Sequence, residues 1–439
     1  MTEGAATLPP SARDWLGHPR ALVFLFLTGM WEVAALAGMR AILVFHLVRD
    51  VGLSTASAVE VFGISTAASF VMSFAGGVVA DRFIGVGRAI LAGAIIMAVG
   101  HLTLVWSTLL YPSLALIAIG SGLFRPTLIA QVWRLYADED PRSSDALLRY
   151  KLGCNFGGIV GPLACGALFE WYGWTPAVLF CAGAMLVAAI VYRLSRRFLP
   201  AENRTQSGVS AKAAAPSISW SALLKFSPAA LTALVLVFAG GCLHWAAANQ
   251  QGGTLAIWTL NDVDRTIGLF GGAFVIPAGW FQTLNPILIL AFAPVVSWVW
   301  LRARVVDPQV AETQRMIAGS AMLALSYAVL VVGVFASGDS QVHWIWLVLS
   351  TAPLTLGELY LDSMGQAYFC RQAPKGFLST FLSLWLVTST VGYIAAAWIA
   401  QLWDQVTTPV FFGACAAVAL ASCAVIALSG SFRIRHATP

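Results

Sequence analysis

Charge is what this sequence has least of. Asp, Glu, Lys and Arg make up 10% of its 439 residues, where a soluble globular chain carries about 25%. The deficit excludes a water-soluble domain, and apolar residues take up the difference at 59%. Paired cysteines are missing too. Cys154, Cys165, Cys181, Cys242, Cys370, Cys415 and Cys423 all fall in apolar runs without a C-x-x-C spacing, so they read as small apolar residues, not as metal ligands or disulfides. The apolar runs hold no H-E-x-x-H, G-x-S-x-G or paired-Asp motif, and no phosphate-binding glycine loop occurs. The groups for metalloprotease, serine-hydrolase or ATP-driven chemistry are therefore absent, and the reading is no enzyme, no cofactor and no metal. The net charge of +5 carries no message about nucleic acid. Residues 1–19 are polar without a cleavage-site pattern, so the first apolar run reads as a retained span.

What the chain has is long apolar runs. At ~20 apolar residues per spanning helix, twelve spans are predicted near 20–48, 56–80, 88–108, 112–136, 146–170, 174–195, 228–259, 275–301, 314–336, 343–371, 376–402 and 408–430. Residues 199–224 are the one long polar stretch between spans. They divide the chain into a six-helix bundle at 1–198, a linker at 199–224, with a short interfacial helix at 220–226, and a second six-helix bundle at 225–439. Basic residues follow alternate loops: Arg82 and Arg88, Arg134 and Arg142, Arg193 to Lys225, Arg302 to Arg315, Arg371 and Lys375, then Arg433 and Arg435. The opposite loops offer Arg49 and Arg265. The positive-inside rule then expects both termini and the linker in the cytoplasm, with the chain spanning the inner (plasma) membrane.

The stretch GGVVADRFIGVGR (residues 76–88) lies in a short turn between two spans. Its glycines let neighbouring backbones approach closely, and Asp81, Arg82 and Arg88 supply charges for a cytoplasmic latch between helix ends. It resembles the loop between helices 2 and 3 of the major facilitator superfamily. In its extended form, G-G-x-x-A-D-R-x-x-G followed by Gly100-His101, it is similar to the proton-coupled oligopeptide transporter (POT/PTR) family. Four further stretches carry the resemblance. GMRAILVFHL (38–47) resembles Y-Y-G-M-R-A-x-L-x-x-Y-L, and residues 122–162 follow G-x-F-K-P-N…L-Y…D-x-R…I-N-x-G. IPAGWFQTLNPILILAFAP (276–294) looks like I-P-x-x-x-F-Q-x-x-N-P, and residues 355–385 resemble L-G-E-x-x-x-S-P-x-G…A-P…W.

The resemblance implies an all-α membrane protein with the major facilitator fold, twelve transmembrane helices in two six-helix halves, and a divergent member of the family. Many bacterial members carry two extra spans in the linker, for which residues 199–224 are too short and too polar. It also implies a substrate site at mid-membrane between the halves. A monomer in the lipid bilayer would move a small peptide or peptide-like zwitterion by alternating access, coupled to protons. A peptide-like natural product, siderophore or amino-acid conjugate, imported or exported, is an alternative cargo. A non-transporting membrane sensor is an alternative class, disfavoured by the intact latch sequence.

A charge at the bilayer centre costs at least ~2.5 kcal/mol, so each intramembrane ionisable residue needs a reason. The family's helix 1 carries E-x-x-E-R, which couples protons and meets the peptide carboxylate. Aligned on Gly38-Met39-Arg40, this chain has Gly29, Glu32 and Val33 there, so only one Glu survives. Gly29, Glu32, Val33, Leu36, Ala37 and Arg40 share a helical face. Glu32 is then a proton-coupling group, or a buried partner of Arg40 or Arg125. Arg125 stands at the family's helix 4 lysine and, never deprotonating, either binds the ligand carboxylate or pairs statically with Glu32. Lys151, where the family has a cavity Tyr, faces the cavity with Asn155 or snorkels to the surface; Tyr150 is displaced by one position. Asn249 replaces a helix 7 Glu. Asn285 contacts the peptide backbone or caps a kink before Pro286. Glu358 meets the peptide amino terminus or forms a salt bridge, and Asp362, one turn on, joins Glu32 and Glu358 as a proton-coupling candidate. Trp385 walls the cavity or packs in the core. His101 and His244 read as core residues.

Overall fold

The computed structural model describes residues 13–15, 17–136, 142–199, 227–269, 272–302, 308–374 and 378–432. Twelve helices of 18 to 31 residues dominate them. They are α1 (Ala21–Arg49), α2 (Thr55–Val79), α3 (Val86–Thr103), α4 (Leu110–Trp133), α5 (Arg142–Tyr172), α6 (Trp174–Ser195), α7 (Pro228–Ala248), α8 (Leu284–Arg302), α9 (Pro308–Ser337), α10 (Ile345–Gln372), α11 (Leu378–Ala400) and α12 (Thr408–Ser429). Eleven helical segments are long and apolar enough to cross a membrane. The other helix, α10, has the length at 28 residues, but Glu358, Asp362 and Gln366 lower its hydropathy. The linker expected at 199–224 and the interfacial helix at 220–226 lie outside the described residues, apart from residue 199.

Two predicted spans are interrupted. The run at 228–259 breaks where α7 ends at Ala248, followed by a 3-10 turn, Asn249–Gly252, and a short helix, Thr254–Asn261. Gly252 and Gly253 sit at the break, and a Cβ on Gly252 would come within 2.7 Å of the Phe62 ring. The run at 275–301 becomes helical at the 3-10 turn Ala278–Thr283, and α8 follows. The reason is the Ile276-Pro277 step, which favours extended backbone. Ahead of it lie two small sheets of two short strands each. β3 (Val263–Asp264) pairs in parallel with β6 (Val342–His343), and β4 (Thr266–Leu269) forms an antiparallel hairpin with β5 (Gly272–Val275). At the other end of the chain, β1 (Arg13–Trp15) pairs with β2 (His18–Pro19). His18 ties this hairpin to the α4 and α5 ends, contacting Tyr136 Oη and Asp145 Oδ2 at 2.7 Å each.

The chain forms two compact units, one of residues 1–46 and 68–214, the other of residues 47–67 and 215–439. The division falls inside α1, after His46, and inside α2, after Ala67, and Phe62 of α2 meets the Tyr393 ring edge-on within the second unit. In the first unit, α1 and α5 run backbone to backbone. A Cβ on Gly157 would overlap the Met30 carbonyl, and one on Gly161 would overlap that of Ala34. The 76–88 stretch behaves similarly: a Cβ on Gly76 would overlap the Gly122 carbonyl of α4. Pro126 lacks the N–H that would bond that carbonyl inside the helix, which leaves it turned to Gly76. The second unit is filled by aromatic side chains, with Trp258, Tyr327, Phe411 and Phe412 in one cluster and Tyr368, Phe369 and Trp385 in another.

Candidate functional site

In the first unit, α1 presents Glu32 and α4 presents Arg125. The guanidinium Nε donates to Glu32 Oε1 at 2.7 Å. The Glu32 side chain is 1% exposed and that of Arg125 26%, so the pair is closed on the carboxylate side and open on the cation side. Arg offers five N–H donors, and the Glu32 bond runs through Nε. Tyr150 of α5 packs here too. A Cβ on Gly29 would lie 2.6 Å from Tyr150 Cε2, so the ring fills the room that a side chain at this helix 1 position would take. The Cys154 thiol, one turn along α5, lies near the Tyr150 hydroxyl. Sequence reading marks Gly29 as a loss and Tyr150 as displaced, but the link between them is visible only in three dimensions.

Elsewhere in this unit Arg40 is half-buried on the α1 face. Lys151 is exposed, and the Asn155 amide donates to the Lys151 carbonyl at 3.1 Å, turning it onto its own helix. His101 is fully buried. At the α2–α3 turn the chain makes a π-turn, Ala80–Ile84, ending at Gly85 with φ 81°, a backbone conformation open to glycine. Arg82 and Arg88 are exposed, and neither forms an ion pair among the described residues. The Asp81 side chain lies outside the described residues.

The second unit builds a different group. Asn285, in the first turn of α8, donates its amide to Glu358 Oε2 at 2.7 Å and approaches Gln251 Oε1 at 3.3 Å. Gln282 donates to the Gln251 carbonyl at 3.1 Å. Glu358 is thus held by an amide among the described residues, where a salt bridge was one of the two expectations. One turn along α10, Asp362 accepts from Trp385 Nε1 at 3.0 Å and from Gln366 Nε2 at 2.8 Å. Trp385 is fully buried. Asn249 is buried at the start of the 3-10 turn that carries Gln251. His244 is buried, facing Ser320 at 3.1 Å. Gln251, Gln282 and Gln366 were not singled out in the sequence, although the Q-x-x-N-P spacing places Gln282 beside Asn285.

These features sit on a recognisable frame. A family model described as the POT family matches residues 87–227 and 227–415. The chain belongs to the POT family. Its first helix, with the departures at Gly29 and Val33, precedes the matched region. The chain is 27% identical to the peptide transporter YePEPT of Yersinia enterocolitica, over 96% of this chain and 95% of that protein. It is 26% identical to a di-/tripeptide transporter of Lactococcus lactis subsp. cremoris, over 92% of this chain and 94% of that one. Among solved structures, a mutant of a peptide transporter POT in complex with alafosfalin matches with TM-score 0.80 at 27% identity, covering 96% of each chain. A POT family transporter in complex with 5-aminolevulinic acid matches with TM-score 0.83 at 24% identity, over 96% of this chain and 99% of that one. The twelve helices therefore have the major facilitator fold, and this POT-family chain is a multi-pass membrane transporter, not an enzyme.

Proposed function

We propose that this protein moves a small peptide or peptide-like zwitterion across the inner (plasma) membrane by alternating access, as a monomer driven by protons. The observation that supports this most is the difference in charge partners. Arg125 keeps an open cationic face beside its Glu32 partner, whereas Glu358 is met by neutral Asn285. A ligand carboxylate suits the first and an amino group suits the second. Charge-assisted hydrogen bonds at both ends are about twice as strong as neutral ones. Arg40, Lys151, Asn155, Asn249 and Asn285 complete the proposed ligand contacts, and Glu32, Glu358 and Asp362 carry protons. Ligand binding at Arg125 loosens the Glu32 pair, so substrate entry and protonation of Glu32 are linked. Asp81, Arg82 and Arg88 form the cytoplasmic latch, with both termini in the cytoplasm.

The test is uptake of Ala-Ala into liposomes holding the purified protein under an imposed pH gradient. Wild type accumulates the peptide, while Glu358→Gln and Arg125→Ala each reduce uptake to background in folded protein. Wild-type rates in either variant would overturn the assignment. A reporter fused after Pro439 is expected to be active only on the cytoplasmic side.

One observation favours a peptide-like conjugate over an ordinary dipeptide. Tyr150 closes the space at Gly29, and Val33 removes the motif Arg, so the α1 face is more apolar and less charged than the family pattern. Competition of Ala-Ala uptake by S-alkylated cysteinyl peptides measures that preference.

A further inference from the structure

Asp362 departs from the family pattern quoted above, L-G-E-x-x-x-S-P-x-G, which has Ser at this place. Its two oxygens are held by partners of different kinds. Oδ1 accepts from the indole Nε1–H of Trp385 at 3.0 Å, and Oδ2 accepts from the amide Nε2 of Gln366 at 2.8 Å. Trp385 has no freedom to turn away. It is fully buried, a Cβ on Gly365 would overlap its ring, and one on Gly241 would lie 3.0 Å from it. An indole N–H only donates, whereas a carboxamide donates through nitrogen or accepts through oxygen after a half-turn. The two sides of the carboxylate are therefore not equivalent.

We propose that Trp385 is a positioning residue that keeps Asp362 Oδ1 a permanent acceptor, so that a proton reaching Asp362 binds Oδ2 and turns the Gln366 amide from donor to acceptor. In that step the Nε2–H···Oδ2 hydrogen bond breaks, an O–H bond forms at Oδ2, and the new hydroxyl donates to Gln366 Oε1. Trp385 stays bonded throughout, so α10 and α11 remain joined while Gln366 changes state. This rests on the reading of Asp362 as a proton site. Glu358 lies close enough to Asp362 for the two charges to interact, and Tyr368 packs in the same cluster as Trp385, while the other nearby charged groups have partners of their own. Glu358, one turn before Asp362, accepts from Asn285. On α9, Arg315 meets Met364 Sδ and the Trp300 ring, and Glu312 pairs with Arg371. On α7 His244 faces Ser320, and on α8 Arg302 lies over Trp298. On α11 Tyr393 meets Phe62.

The experiment is pH-difference infrared spectroscopy on the full chain in liposomes, paired with Ala-Ala uptake. Asp362→Asn removes one carboxyl band and its accompanying side-chain amide band. Trp385→Phe keeps the carboxyl band but shifts its frequency, and lowers proton-driven accumulation about tenfold, as losing a hydrogen bond to a charged group implies. The double variant accumulates no less than Asp362→Asn alone, because both act through one carboxylate. If Asp362→Asn leaves the spectrum unchanged, Asp362 takes no proton and the underlying reading fails with the proposal. If Asp362→Asn removes the band while Trp385→Phe leaves its frequency in place, only the positioning proposal fails. A wild type that ignores Ala-Ala overturns the substrate reading, and the infrared comparison still decides the role of Trp385. Should Trp385→Phe not fold, Gln366→Met decides: survival of the amide band overturns the switch.

Discussion

In the first unit the buried carboxylate Glu32 meets a cation, Arg125, at 2.7 Å, while in the second Glu358 and Asp362 meet neutral N–H donors from Asn285, Trp385 and Gln366. The packing differs in the same way. Gly157, Gly161 and Gly76 of the first unit admit backbone carbonyls, and Gly365 and Gly241 of the second admit a Trp ring; the Gly319–Gly357 crossing shows that the second unit uses backbone approach as well. An ion pair is self-contained: each charge offsets the desolvation of the other, and removing one strands its partner. A carboxylate held by neutral donors has no fixed counter-charge, so it is available to a ligand amine or a proton. The first unit thus holds its buried mid-span carboxylate in an ion pair, whereas the second leaves Glu358 and Asp362 on neutral donors and keeps its own ion pair, Glu312–Arg371, apart from them.

The largest effect expected from this contrast comes from the backbone seam. Gly157→Leu would drive a side chain into the Met30 carbonyl, and no rotamer change moves a backbone oxygen out of the way. The clash exceeds the few kcal/mol of overpacking that a flexible core absorbs, so folded protein is lost. Size-exclusion chromatography after detergent extraction measures it, and a wild-type yield of monodisperse protein breaks the contrast at its root.

Next in size is the ion pair. Arg125→Ala leaves Glu32 buried without its cation and is expected to cost about 3–5 kcal/mol. Adding Glu32→Gln recovers most of that loss, since the stranded charge is gone. Glu358→Gln strands nothing, because its Asn285 partner is neutral, and costs under about 1 kcal/mol, near the net value of an ordinary hydrogen bond. Thermal unfolding of the four proteins in one detergent gives the comparison. Equal losses for Arg125→Ala and Glu358→Gln would mean that the two carboxylates are held alike.

How much of this was legible beforehand follows the same division. Twelve helices could be read because apolar runs record composition, and the Glu32–Arg125 pair was one of two readings because opposite charges at mid-span suggest each other. The break after Ala248 was passed over because Thr254–Leu260 is apolar enough to continue the span, although the Asn249-Gln250-Gln251-Gly252-Gly253 run between was a signal for it. The β4–β5 hairpin was missed because it falls almost wholly between the predicted spans, where no strand was expected, although glycines between apolar and β-branched residues were a signal. The Asn285–Glu358 and Trp385–Asp362 bonds join residues 73 and 23 positions apart with no charge complementarity to announce them. Gly29 could be read as a missing side chain, but the Tyr150 ring that fills the gap comes from another helix.

A smaller effect separates a carbonyl neighbour from a ring neighbour. Gly365→Ala pushes a methyl into the Trp385 ring and is expected to cost about 1–3 kcal/mol. Gly365→Ala combined with Trp385→Phe gives room for the methyl and is less destabilised than the sum of the two single changes. Gly157→Ala finds no such relief from changing the Met30 side chain, because its obstacle is backbone. Additive losses at Gly365 would show that the ring is not what sets the cost there.

The smallest effect tests, outside the membrane, what a neutral donor does for a carboxylate. Asp262 precedes β3 and Asp264 ends it, and their carboxyls shift in opposite directions. Partial burial raises the Asp262 carboxyl above its ordinary value, whereas the Thr266 backbone N–H, donating at 2.9 Å, holds Asp264 below its own. By linkage, a raised acid disfavours the folded sheet while ionised and stops doing so as pH falls through its folded value. A lowered acid does the reverse: its contribution is present above the unfolded value, about 3.9, and is lost as pH falls through the folded one. Acidification from neutrality should first strengthen and then weaken the β3–β6 pairing. Val342 N–H, bonded to the Asp262 carbonyl, and Trp344 N–H, bonded to that of Asp264, report it. Amide hydrogen exchange, corrected for the intrinsic pH dependence, gives the protection of both. Asp262→Asn removes the strengthening phase and Asp264→Asn the weakening one. If Asp264→Asn leaves the weakening phase intact, one neutral N–H does not stabilise a carboxylate measurably here. The second unit's reliance on such donors at Glu358 and Asp362 would then need a further source of stability.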